Sequence, residues 1–239
     1  MIKFFRKIRQ KLLSKNKFSQ YLVYAFGEIL LVVIGILMAL GINNWNENRK
    51  DTKVENNLVL GVIAELKSAK TELEGNLNAN QKILEKMSEY LDDNFPESEK
   101  NHGRVLFLMA HNNAEIKTPL VTSILENNNS HSLKNTELLK KLMVLNSLNQ
   151  NLIKSEYFLD DFWNTKSSEF LIRKNYAFST FDKAARKYIA KSEKYRELYN
   201  DIDYKNLISL KYAMHELWVK DQEKLLKELE AILEYLNRN

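Results

Sequence analysis

The side chains best suited to metal or proton chemistry are four histidines, His102, His111, His131 and His215. They fall in different segments with neither H-E-x-x-H nor H-x-H spacing, so a metal site would need tertiary convergence. Met214-His215-Glu216 sits in a helical pattern where a solvent-facing imidazole is the ordinary outcome. Asp160-Asp161 reads as a solvated pair rather than a carboxylate dyad. The chain has no glycine-rich phosphate loop and no nucleophile elbow. With Cys at 0, thiolate zinc, iron–sulfur clusters, disulfides and a cysteine nucleophile are all excluded. These residues predict no cofactor, no metal and no enzyme, with a site assembled from distant helices as the alternative.

The elements that must carry these residues are helical. With 239 residues, 44% hydrophobic and 28% charged, the chain can bury a core. Only 6 Gly and 2 Pro leave little material for hairpins, which argues against a sandwich or barrel. The net charge of +5 is unevenly placed. Lys3, Arg6, Lys7, Arg9, Lys11, Lys15 and Lys17 lie in residues 1–20 without an acid, so the other 29 basic and 31 acidic residues leave the body at −2. A basic block beside an apolar stretch points to anionic lipid headgroups, not to nucleic acid. Phe4 or Phe5, Ile8 and Leu12 recur at helical spacing within that block, as in a helix lying among the inner headgroups.

The apolar stretch, residues 21–42, reads YLVYAFGEILLVVIGILMALGI. As a helix at ~1.5 Å per residue it covers ~33 Å, enough for a hydrocarbon layer of ~30 Å. Its 13 Leu, Ile, Val and Phe side chains contribute about −4 to −8 kcal/mol to insertion, outweighing the roughly +3 kcal/mol of the one acid, Glu28. The charge asymmetry puts the N-terminus in the cytoplasm, with Trp45 as the far interface anchor and residues 43–239 outside the cytoplasm. A cleaved signal peptide ending near Ala39-Leu40-Gly41 is the alternative. It is disfavoured because the stretch is longer than an h-region and a helical pattern resumes after Trp45.

Tyr24, Glu28, Gly35 and Ala39 share one face of this span, and Gly35 to Ala39 is a small-xxx-small pattern. A carboxyl in lipid must be neutral, bonded or drawn to the headgroups, so this face is expected to meet another helix, most simply a second copy. A membrane oligomer with an ion or proton path lined by Glu28 is the alternative use.

Phe4-Phe5-Arg6 through Lys15, Tyr24-Ala25-Phe26-Gly27-Glu28-Ile29, Val33 to Leu40 and Ile42-Asn43-Asn44-Trp45-Asn46-Glu47 resemble the N-terminal signature of an uncharacterised family of Bacteroidota membrane proteins. A weaker similarity covers Thr118 to Leu142, where Thr122, Ser123, Leu125, Asn135 and Leu138 fit but Asn129-Ser130-His131 replaces the family's Ser-Gly turn. The resemblance implies a single-pass inner-membrane protein with a helical periplasmic domain, and it brings no activity.

Beyond the span, Val54, Leu58, Val62, Leu66, Ala69, Leu73, Leu77, Leu84, Met87 and Leu91 step by three or four, predicting a stalk-like helix over about 45–92. Asn80 falls on its apolar stripe, as either a register-setting buried amide or a break. Asn94-Phe95-Pro96 ends the helix. Short helices are expected over 104–113 and from Pro119 with Thr118 as N-cap, followed by long ones over about 138–163, 181–199 and 207–236. The expected fold is all-α, one transmembrane helix and then an antiparallel bundle that buries each apolar stripe against another.

Tyr157, Phe162, Trp163, Phe170, Tyr176 and Phe178 form an aromatic-rich region that could line a pocket, although such rings more often fill a core. The expected function is a membrane-anchored interaction, sensor or adaptor module, self-associating, with membrane lipids and an unidentified extracytoplasmic or membrane protein as partners.

Overall fold

The computed structural model describes residues 18–100, 104–126, 133–176 and 192–238, and among these every regular element is helical. The basic residues Lys3, Arg6, Lys7, Arg9, Lys11, Lys15 and Lys17 lie outside the described residues, as do Phe178, His102 and His131. The helices are α1 (Phe18–Leu91), α2 (Glu97–Lys100), α3 (Arg104–Phe107), α4 (Pro119–Glu126), α5 (Thr136–Phe162), α6 (Ser168–Arg173), α7 (Ser192–Asn200) and α8 (Ile202–Arg238). A π-helical turn, Trp163–Ser167, joins α5 to α6. The chain divides into two units, residues 1–57 and 58–239.

In the first unit, α1 passes through the apolar stretch without a break. Leu22, Phe26, Ile29, Leu31, Ile36 and Met38 are all exposed, which in water would be a heavy hydrophobic cost. This is the one helix among the described residues long and apolar enough to cross a membrane, and none of its apolar window is buried.

In the second unit, α1 ends at Leu91 because Asp93 takes a left-handed conformation, φ 57°, letting Asn94 donate to the Glu89 carbonyl at 2.8 Å. The end of α6 repeats the device with Asn175 at φ 56° and Tyr176 donating to Leu171 at 2.7 Å. In a chain poor in glycine, short polar residues that tolerate this conformation stand in for it.

Contacts along α1 ascend as those along α8 descend: Lys70 pairs with Glu230 at 2.8 Å, Gln81 bonds Glu223 at 2.9 Å, and Asp93 pairs with Lys205 at 2.9 Å. Likewise Asn135, which caps α5 through Leu138 N–H, bonds Tyr235 at 3.0 Å, while Ser155 bonds Asp221 at 3.1 Å. Two apolar clusters result. One gathers Val62, Leu66, Leu73, Val121, Leu142 and Leu229; the other gathers Ile83, Met87, Tyr90, Val105, Tyr204 and Ile208.

One expectation needs correction. The segment expected to be helical over 104–113 is helical only to Phe107, and no regular element covers residues 108–118. Ala114, Ile116 and Thr118 are buried while Glu115 and Lys117 are exposed, the two-residue period of extended chain.

Candidate functional site

Chain that is neither helix nor strand must find partners for its own N–H and C=O groups, and burial makes this obligatory. Residues 108–118 find them in side chains projecting from α1, α5 and α8. Asn80 donates through Nδ2 to the Asn112 carbonyl and accepts from the Asn112 N–H through Oδ1, both at 2.8 Å. Asn149 does the same for Ile116, donating at 3.0 Å and accepting at 3.2 Å. Glu156 accepts from Ala114 N–H at 3.0 Å, and the Lys211 ammonium donates to the Leu108 carbonyl at 2.9 Å and to the Ala110 carbonyl. Residues 108, 110, 112, 114 and 116 are thus held through their backbone by side chains, Glu156 also accepts from the Glu115 backbone, and residues 108–110 form a turn in which Met109 and Ala110 donate to Leu106 and Phe107.

The strap ends where α4 begins. Glu65 on α1 accepts from Leu120 N–H at 2.9 Å and Val121 N–H at 3.0 Å, satisfying two of the orphan donors at the helix start. Thr118, expected as N-cap, precedes the helix as predicted, and its carbonyl accepts the first intrahelical bond from Thr122 at 2.9 Å. The two free N–H groups nevertheless go to Glu65.

Asn80 belongs to a polar layer between the two apolar clusters. It is fully buried in an unbroken helix, so the buried-amide reading of this position holds and the break does not. Its Nδ2 also donates to Gln222 Oε1 at 3.2 Å, and its backbone carbonyl accepts from His215 Nε2 at 3.0 Å. His215 is wholly buried, which corrects its reading as a surface imidazole. The sequence pattern around it, charged on both flanking turns, gave no sign of a partner brought by α1. Burial first, and then the charge of Lys211, push His215 down to about 4, so the ring is neutral at physiological pH. Burial alone pushes Lys211, only 2% exposed, down to about 7. Burial and Lys211 also lower His111, against the pull of Asp160, whose carboxylate accepts from His111 Nε2 at 3.0 Å. Glu156 is raised, chiefly by burial.

Lys211 directs its protons to backbone carbonyls, and the His111–Asp160 pair faces the Trp218 indole, ring centroids 5.6 Å apart. Among the described residues no group of three or more His, Asp or Glu is placed to hold a metal. What the arrangement binds is an extended backbone, that of its own chain.

The expected aromatic region separates. Phe170 and Tyr176 lie 6.0 Å apart and join Tyr204 in the second core cluster, whereas Tyr157 is exposed and Trp163 and Phe162 lie towards the surface. A groove lined by Phe170 with Lys166, Arg173, Asp203 and Leu210 takes in none of Tyr157, Phe162, Trp163 and Tyr176. On the apolar part of α1, Glu28, Gly35 and Ala39 are exposed, a side chain at Gly35 would meet nothing within 4 Å, and the Tyr24 side chain lies outside the described residues. Trp45 is 65% exposed. No protein-family model, curated protein or solved structure matches the chain.

Proposed function

We propose that the protein is a single-pass, membrane-anchored helical module that acts by contact rather than catalysis. In this reading the N-terminal basic segment lies on the cytoplasmic side of an inner membrane. Residues beyond the span form an antiparallel bundle outside the cytoplasm, and the Glu28–Gly35–Ala39 face pairs with a second copy. The observation that carries it is the unburied apolar helix: about 20 consecutive residues of α1 expose large hydrophobic side chains, a surface that only lipid or another membrane helix covers without cost. The engagement of the buried polar groups with the chain's own backbone supports a role in contact, with the outer surface left for a partner.

The absence of cysteine makes topology directly testable. Single Lys3→Cys and Lys224→Cys variants are exposed to a membrane-impermeant maleimide on intact spheroplasts. Labelling of Lys224→Cys alone, with Lys3→Cys reacting after permeabilisation, is the expected result. The opposite pattern, or release of the protein by alkaline carbonate, removes the reading. Gly35→Leu in a membrane dimerisation assay tests self-association, which unchanged pairing would dismiss. Crosslinking in native membranes then identifies the partner.

A further inference from the structure

Just past the apolar stretch the helix surface is sorted by charge. At ~100° per residue, Trp45, Arg49 and Lys53 occupy an arc of about 80°, Glu47, Asp51 and Glu55 occupy a similar arc roughly opposite, and Lys50 lies between the two. On the basic side the Arg49 guanidinium lies 5.6 Å from the Trp45 ring centroid. Asn48, Thr52 and Asn56 border the same concave surface and add uncharged polar groups. Sorting of this kind is not needed to solvate a helix, for which mixed i,i+4 pairs of opposite charge are more stabilising.

We propose that this face binds the phosphodiester headgroup of an anionic phospholipid in the leaflet on the Trp45 side. The proposal rests on the membrane-anchor reading and adds to it a lipid class and a site. An indole settles at the boundary between hydrocarbon and headgroups. From there Arg49 stands ~6 Å and Lys53 ~12 Å further along the helix, which spans the phosphate layer and the region above it. Arg49 offers a planar fork that matches two phosphate oxygens, with the indole holding its other face, and Lys53 supplies a second, mobile charge. Glu47, Asp51 and Glu55 balance Arg49, Lys50 and Lys53, so the segment has no net attraction to anionic lipid and a preference has to come from how its charges are arranged.

The test uses the full chain in nanodiscs of phosphatidylcholine containing a minor share of phosphatidylglycerol, with either lipid brominated. Trp45 quenching is isolated by subtracting the signal of Trp45→Phe. Stronger quenching by brominated phosphatidylglycerol than its share of the bilayer predicts is expected. It should weaken roughly fivefold for each of Arg49→Gln and Lys53→Gln, and it should fade with added salt. Asp51→Asn with Glu55→Gln serves as the charge control and should leave the preference unchanged. Equal quenching by both lipids, or a preference that follows net charge whichever face is altered, overturns the proposal. Failure of the chain to stay in the bilayer at all would instead overturn the anchor reading beneath it.

Discussion

Asn80 holds Asn112 by both backbone polar groups, its carboxamide standing where a neighbouring strand would be. Asn149 repeats this on Ile116 from α5. Removing such a partner leaves an N–H and a C=O unpaired, at a buried residue for Ile116 and at an exposed one for Asn112, and a buried unpaired group costs ~1–3 kcal/mol. Asn80→Leu, chiefly by stranding the buried Gln222, and Asn149→Leu, by stranding the buried Ile116 backbone, should therefore each lower stability by about 2 kcal/mol. Because both hold one strap, the double variant should lose less than the sum. Urea midpoints of the full chain in micelles, followed by proteolysis, measure this; an Asn80→Leu protein as stable as the parent would show that apolar packing alone seats the strap.

The buried bases fix the sign of the pH dependence. His215 is held at about 4 in the folded chain, against 6.5 unfolded. The unfolded state thus binds the extra proton between those values, and the contribution is complete above pH 6.5 and disappears as pH falls through 4. Lys211, at about 7 against 10.5, acts likewise at higher pH: its contribution is complete above pH 10.5 and is lost as pH falls towards 7. Glu156, raised by burial, works in the opposite sense and loses its contribution as pH rises through its folded value. From His215 and Lys211 stability should therefore climb from acid pH to about 10, above which the buried Tyr90 and Tyr204, both raised from 10.0 chiefly by burial, act in the opposite sense. His215→Gln should flatten the acid limb, worth up to about 3 kcal/mol, and Lys211→Met the alkaline one. A midpoint constant across both windows would contradict the burial of these groups.

Two glycines of α1 should respond unequally to the same change. A Cβ at Gly75 meets nothing within 4 Å, so Gly75→Ala should stabilise by about 0.5–1 kcal/mol through helix propensity. At Gly61 the Cβ would fall 2.8 Å from Leu120 Cδ2. Gly61→Ala should gain less as Leu120 turns aside, and Gly61→Leu should cost about 2 kcal/mol by pushing α4 off α1. Thermal midpoints by circular dichroism would rank the three variants.

Glu65 joins α1 to α4 through two N–H groups at the helix start. Glu65→Ala should destabilise by about 1–2 kcal/mol. Glu65→Gln, which keeps one acceptor oxygen, should cost less. Hydrogen exchange at Leu120 and Val121 should accelerate in both, and unchanged exchange would show that these amides are protected by packing instead.

The chain's helical nature was readable from residue spacing alone. Leucines every three or four residues along α1, α5 and α8 can be buried on one side only by helices, and the apolar run up to Ile42 is long enough to span lipid whatever the rest does. Pro119 likewise marked its helix start locally, because proline fixes its own backbone, whereas α1 stops at Leu91, before the Asn94-Phe95-Pro96 stop is reached, where Asp93 turns left-handed. Asn80 stood out as a polar residue on an apolar stripe, yet its partners did not. Asn112 is 32 positions away and Gln222 142, and nothing local to Asn80 specifies either. The strap was misread for the same reason. Leu106 to Ala110 is apolar enough for a helix, and only the alternation in Ala114-Glu115-Ile116-Lys117-Thr118 hinted at extended chain. A helix supplies its own hydrogen bonds, so sequence determines it from within. An extended segment depends on partners that other elements bring, and here packing of α1, α5 and α8 decided where Asn80, Asn149, Glu156 and Lys211 would meet it. Packing also took His215 out of water, and that burial is the first cause of its neutral ring.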